Sequence, residues 1–372
     1  MKKNFWILGM AVAALTSCTQ SEVVNVPEGK PIGFKMFVEN GTRAVESTLT
    51  KDNIADIWVL GYKAADASSF TDNMQLFFDN VNVHKETTAG STTGAWTYTP
   101  LQYWSKNTTY RFAAYADGKN SSSDVTYNPK DDFLLFDDYV AGSKDLLASI
   151  PGDRTTDNDL SGEPNVAFNF NHLLAKVQFV FTEQANVYMQ VKNLKIANAV
   201  NRGDGKYYHD VTSVTGAYSL NAFGGKQGVH WTLSIAENDK GYSFVTSLTP
   251  TLALDALDEM FVIPQENTDK KATFELVTYQ DAGFTNEINR TSMSIPLTTM
   301  GVKMDPNSTA TTDIDGGIWR PSRVYRYHIT FTASEFDEVP IKFTVNSVAA
   351  WDNNLSPDDE NDDILPGVTE SN

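Results

Sequence analysis

Short runs in which aromatic and β-branched residues alternate with polar ones recur along the whole chain, separated by clusters of Gly, Asn, Asp, Pro and Ser. The clearest are Ile54 to Tyr62 (IADIWVLGY), Ala95 to Tyr98, Thr109 to Tyr115 and Ala175 to Phe181 (AKVQFVF). Val187 to Ile196, Ala272 to Tyr279 (ATFELVTY), Val324 to Phe331 (VYRYHITF) and Ile341 to Val348 (IKFTVNSV) continue the series. A period of two places successive side chains on opposite faces of a strand, and no segment sustains the 3.6-residue period of a helix for long. Strands at this spacing with turn residues between them predict an all-β protein of antiparallel β-sandwiches rather than parallel α/β units.

The chain has 372 residues, more than one core comfortably organises, so two domains are expected. The polar stretch Thr182 to Asn186 between two apolar runs sets the junction, giving sandwich domains over 44–184 and 185–352. Ser121 to Asp132 and Pro151 to Pro164 read as long surface loops. Residues 353–372 form an acidic tail containing Asp358, Asp359, Glu360, Asp362 and Asp363.

The N-terminus carries an export signal. Lys2 and Lys3 precede the apolar run Phe5 to Leu15, and Leu15-Thr16-Ser17-Cys18 then has the form of a lipobox. The run is too short to span a bilayer as a mature helix. Residues 1–17 are therefore expected to be removed as a lipoprotein signal peptide, leaving Cys18 to accept the lipid. Cys18 is the only cysteine, so an intrachain disulfide is impossible and stability must come from packing. Acyl chains contributing about 0.8 kcal/mol per buried CH₂ would tether the precursor to the outer membrane. A formal net charge of −18 disfavours nucleic acid, whose phosphates would be repelled.

Residues that could carry catalysis do not assemble into a motif. His84, His172, His209, His230 and His328 are scattered, with no metal-ligand spacing, GxSxG elbow or phosphate-cradling glycine loop. His172, in AFNFNHLLAKVQFV, reads as a hydrogen-bonded packing residue. Asp157-Asn158-Asp159-Leu160-Ser161-Gly162 has alternating oxygen donors, as a Ca²⁺ loop requires, but Phe168 stands where a bidentate glutamate should close the shell. Asp313-Ile314-Asp315-Gly316 is a weaker version of the same pattern. The expectation is no metal, no cofactor and no enzyme. Seven tryptophans and fifteen tyrosines offer material for a glycan platform, with Tyr103-Trp104, Trp96-Thr97-Tyr98 and Trp231 as candidates. Most such residues in a sandwich fill the space between sheets.

Downstream of Cys18, Ile32, Phe34, Met36 and Val38 alternate in IGFKMFV, giving one apolar strand face. Arg43 follows the turn-like Asn40-Gly41 in a polar segment, where a protease with arginine specificity could cut between Arg43 and Ala44.

Taken in order, several motifs resemble a known family: the lipobox at Cys18, Gly41-Thr42-Arg43-Ala44, Trp104 in YWSKNTTYRFAAYAD, AFNFNHLLAKVQFVF, and the closing VPIKFTVNSVAAW. Over nearly its entire length the chain is similar to the fimbrillins of the Bacteroidetes, the lipoprotein-derived subunits of type V pili. That resemblance implies two tandem transthyretin-like β-sandwich domains and a lipidated precursor, with residues 18–43 as propeptide. It also implies an arginine-specific surface protease as one partner and other fimbrial subunits as the rest. Cleavage after Arg43 would release the strand bearing Ile32, Phe34, Met36 and Val38, and a strand from another subunit would fill the groove. Val339, Ile341, Phe343 and Val345 have the alternation of a donor strand, and equally of the last fixed strand of the second domain. A chain lacking a donor would be a tip adhesin instead of a stalk subunit. The alternative is an anchored outer-membrane lipoprotein that binds glycans.

Overall fold

A computed structural model of the chain describes residues 31–38, 54–71, 73–85, 96–116, 125–160, 165–183, 188–210, 227–236, 238, 240–244, 256–297, 317–331 and 347–350. These residues form strands, apart from turns and one 3₁₀ turn at Ala67–Ser69. The alternating runs seen in the sequence become β-sandwich layers, so the fold is all-β as expected.

The largest sheet has eight strands. Its members are β1 (Phe34–Val38), β2 (Asp56–Ala64), β3 (Gln75–Lys85), β4 (Trp96–Thr97), β5 (Thr109–Ala116), β8 (Leu147–Ser149), β9 (Arg154–Thr155) and β10 (Val166–His172). The order is β1-β10-β8-β5-β2-β3-β4, with β9 on β5. A second sheet, β14-β13-β7-β6, contains β6 (Val125–Asn128), β7 (Phe133–Val140), β13 (Arg202–Tyr208) and β14 (Gly228–Leu233). A third, β16-β11-β19-β20, contains β11 (Ala175–Glu183), β16 (Ala256–Val262), β19 (Arg323–Phe331) and β20 (Ser347–Ala350). The fourth, β15-β12-β17-β18, contains β12 (Tyr188–Val200), β15 (Lys240–Ser243), β17 (Lys271–Tyr279) and β18 (Glu287–Pro296).

Most pairings are antiparallel, but β1 runs parallel to β10 and β11 runs parallel to β19. Three pairings, β7 with β13, β11 with β16 and β11 with β19, join residues on opposite sides of position 184/185, where the sequence suggests a junction.

The large sheet is buried on both faces, which explains the unbroken apolar stretch Ile57 to Leu60. Trp58 and Leu60 point into a core shared with Phe136, Tyr207 and Trp231 and with the two C-terminal sheets. Ile57 and Val59 point the other way, into a separate cluster with Phe78, Phe112 and Phe168. Trp231 lies flat against Gly205, where an added Cβ would come within 2.7 Å of the indole ring. Only glycine leaves that volume free, which is why a strand reading RGDGKYY tolerates its glycines. The face of the third sheet opposite Val177 and Phe179 buries an ion pair, Lys176 Nζ to Glu259 Oε2 at 2.8 Å, with Gln178 donating to the same oxygen at 3.1 Å.

A polar clamp ties the large sheet to the second one. Arg111 on β5 grips Asp153 with two bonds of 2.6 and 3.0 Å and also donates to the Pro129 carbonyl. Beside it, Tyr127 Oη donates to Asp132 Oδ1 at 2.5 Å, and the His209 N–H donates to the Asp132 carbonyl at 3.1 Å. Burial pushes the Asp132 carboxyl above its ordinary value of 3.8, against the Tyr127 hydrogen bond and the pull of His209 and Arg111. A raised folded-state value means the folded protein holds this proton more tightly than the unfolded chain. Stability from this group is therefore present at acid pH and lost as pH rises through the raised value. Asp132→Asn keeps an acceptor for Tyr127 and removes that loss. Its thermal midpoint should match that of the wild type at acid pH and exceed it at neutral pH; a gap that widens on acidification would contradict the assignment.

Candidate functional site

The apolar alternation of residues 32–38 becomes β1, which lies at one end of the large sheet. All five of its residues pair with β10, from Phe34 opposite Val166 to Val38 opposite Phe170. The segment just ahead of β1 reaches the other end of the same sheet. Pro31 bridges to Tyr103, and the Ile32 N–H donates to the Gln102 carbonyl at 2.9 Å. The N-terminal strand therefore fills a gap between β10 and the chain that follows β4, almost closing the sheet on itself.

Inside that closure lies an aromatic cluster, and Phe34 occupies its centre. The Phe34 ring stacks on Phe168 at 5.6 Å and meets Phe78 at 5.6 Å, Tyr98 at 5.4 Å and Phe112 at 6.4 Å. Ile32 and Phe34 are buried, at 1% and 5% exposure, and Met36 packs half-buried against the same cluster. Lys35, between them, faces solvent. For Val38 only the backbone is described.

Tyr98 fastens the strand from the far side. Its hydroxyl donates to the Ile32 carbonyl at 2.8 Å and accepts from the Gln102 N–H at 3.2 Å. Burial pushes the Tyr98 hydroxyl up to about 12, so it remains a neutral donor across the physiological range. On the β10 side, the Val166 N–H donates to the Gly33 carbonyl at 2.8 Å. Neither Tyr98 nor Asn165, which flanks Gly33, was marked as part of this site by the sequence. Tyr98 read instead as part of a candidate glycan platform, and Asn165 sits in a loop without periodic signal.

Cys18, Arg43, Ala44, Val339, Ile341, Phe343 and Val345 lie outside the described residues, as do Ser161, Gly162 and Asp313 to Gly316. In the described part of the candidate calcium loop, Asn158 accepts from Asn107 at 2.8 Å and Leu160 packs into the groove cluster. Among the described residues no group of three or more His, Cys, Asp or Glu is placed to hold a metal ion. His172 is buried and bonded through Nδ1 to Asp145 Oδ2 at 2.8 Å, the packing arrangement expected for it. The aromatics considered for a glycan platform are largely internal. Trp104, Tyr98 and Trp231 are buried, and Trp96 packs half-buried against the groove cluster.

The sequence profile described as fimbrillin-like matches residues 42–351. This chain belongs to the fimbrillin-like family. The match begins at Thr42, just after β1, and runs to Trp351. Membership of the fimbrillin-like family gives the chain a role as a component of a fimbria at the cell surface. Comparison with curated protein sequences gave no match.

Among solved structures, this fimbrillin-like chain is similar to a Bacteroides uniformis protein provisionally described as a cell adhesion protein. The two share 14% identity over 86% of this chain and 98% of that one, with a TM-score of 0.47. A Bacteroides ovatus protein of the same description has 15% identity over 87% and 98%, with a TM-score of 0.45. The fimbrial anchor protein Mfa2 of Porphyromonas gingivalis has 11% identity over 80% and 91%, with a TM-score of 0.28. All three scores fall below 0.5, so the family assignment rests on the sequence match alone.

Proposed function

We propose that this protein is a fimbrial subunit exported as a lipoprotein through Cys18, cut between Arg43 and Ala44, and polymerised by donor-strand exchange. The observation that carries this reading is the position of β1. It is a terminal strand upstream of Arg43, it supplies buried residues to the aromatic cluster, and among the described residues it pairs with one strand, β10. Burial of Ile32 and Phe34 contributes roughly 3–6 kcal/mol, at about 1.5–3 kcal/mol for each side chain. While the chain is intact, that strand is tethered and its effective concentration is high. Once cut, it is held only by those contacts and its backbone bonds. Its departure would bare an apolar groove and the edge of β10, a template for another strand.

The donor fits best near the C-terminus. Val339, Ile341, Phe343 and Val345 immediately precede β20, a four-residue strand that, among the described residues, lies at the edge of its sheet and pairs with β19 alone. Donor and groove are different surfaces, so the contact is heterologous and propagates as a filament. A permanently anchored glycan-binding lipoprotein has less support, because the aromatics it would use fill cores.

Arg43→Ala tests the switch. Surface material from wild-type cells should begin at Ala44 and form oligomers that resist heat and detergent. The variant should remain a lipidated, membrane-bound monomer. Undiminished polymer from Arg43→Ala would rule out cleavage there as the trigger.

A further inference from the structure

Pro31-Ile32-Gly33-Phe34-Lys35-Met36 and Pro340-Ile341-Lys342-Phe343-Thr344-Val345 share Pro, Ile and Phe at the same spacing, with Met36 matched by Val345. In the first segment, Ile32, Phe34 and Met36 are the residues that face the aromatic cluster. The second segment thus offers groove-facing side chains of similar size in the same N-to-C order. Direction matters here, because β1 runs parallel to β10. A strand entering with the same polarity would set Pro340 at the bridge to Tyr103 and Phe343 among Phe78, Tyr98 and Phe168.

The two segments differ where the groove is tightest. A Cβ added to Gly33 would come within 2.5 Å of Asn165 Oδ1 and 2.8 Å of its Cγ, distances no real contact reaches. The backbone cannot retreat freely, since the Gly33 carbonyl accepts from Val166 N–H at 2.8 Å. The matching residue in the second segment is Lys342. The atoms in the way form the end of a half-buried side chain rather than backbone, so they can rotate.

We propose that Asn165 is the specificity-determining residue of the groove: its side chain rests against Gly33 while β1 is seated, and must turn aside for Lys342 when Pro340–Val345 of a second copy replaces that strand. This rests on the donor-strand reading above. The plug and the donor then fill the same apolar sites but differ in what they demand of one side chain. Asn165 favours the plug in the precursor and slows replacement until the plug is free to go.

The test uses the full chain cleaved once after Arg43 and fluorescent peptides spanning residues 339–346. Overpacking penalties imply that a Lys342→Gly peptide displaces β1 roughly tenfold faster than the native peptide. On an Asn165→Ala protein the two peptides should behave alike. Equal rates on the wild-type protein, with both peptides binding, would overturn the role of Asn165 and leave strand exchange standing. Failure of both peptides to bind would remove the exchange reading and this proposal with it. A second measurement avoids peptides altogether. In the uncut chain, Gly33→Ala should lower the thermal midpoint when Asn165 is present and have little effect beside Asn165→Ala; equal shifts in both backgrounds would also overturn the assignment.

Discussion

Phe34→Ala in the uncut chain should release β1 from its groove while the remainder of the N-terminal sheet stays folded. Deleting a buried phenylalanine ring costs about 3–5 kcal/mol, and Phe34 touches four aromatic rings of the cluster. Among the described residues the strand has a single paired neighbour, and Ile32 and Phe34 contribute roughly 3–6 kcal/mol by burial. A penalty of that size therefore approaches everything that holds it. Local detachment then becomes cheaper than global unfolding, and the cost to the whole molecule levels off. Hydrogen exchange separates the two outcomes. The Val166 amide, which donates to Gly33, should lose roughly two to three orders of magnitude of protection, since each 1.4 kcal/mol is a factor of ten. Amides of β2 and β5 at the centre of the same sheet should keep theirs. Phe112→Ala is the contrast, because Phe112 lies on central strand β5 and its loss should weaken the entire sheet. Uniform loss of protection in Phe34→Ala would mean that β1 is an integral strand and a poor plug.

Much of the strand layout is legible in the sequence. β5, β11, β17 and β19 lie where alternation puts them, because each has at least one face fully buried and the period of two survives. Direction is not legible: a period of two carries no sign, so the parallel pairings of β1 with β10 and β11 with β19 emerge only in three dimensions. β18 was invisible for a different reason. Its first six residues, from Glu287 to Ser292, are exposed, so its strand character comes from pairing with β17 and not from its own pattern. β13 was obscured by Gly203 and Gly205, which read as turn residues yet exist to let the backbone of β14 and the Trp231 ring approach closely.

The candidate site divides in the same way. The apolar face of Ile32, Phe34 and Met36 was readable because it is periodic, and its residues are where that pattern implies. What surrounds it was not readable. Tyr98 and Gln102 lie about seventy residues from the strand they fasten, and contacts at that separation leave no local trace. The aromatic surplus left one point open: the residue count shows that rings are available, but whether a ring faces a core or a ligand depends on which side of the strand is covered. Trp104, edge-on to Tyr110 at 4.8 Å, went to the core.

The second large effect lies at the other end of the chain. If Phe343 takes the place vacated by Phe34, then Phe343→Ala should abolish donation while leaving acceptance intact. The lost ring again costs about 3–5 kcal/mol, which weakens the strand in its groove by roughly two to three orders of magnitude. After cleavage, the variant alone should remain monomeric. Mixed as a minor component with wild-type subunits, it should shorten filaments, because a copy that accepts but cannot donate ends growth on one side of a heterologous contact. Length distributions by electron microscopy and detergent-resistant ladders on gels report both effects. Thr344→Ala, at the position matching solvent-facing Lys35, is the control and should polymerise like the wild type. Filaments of undiminished length from Phe343→Ala would move the donor elsewhere in the chain. Equal defects in Phe343→Ala and Thr344→Ala would point to loss of the C-terminal fold instead of loss of one anchor. Only the combination of a silent Thr344 and a terminating Phe343 fits a strand whose alternate residues enter the groove that β1 leaves.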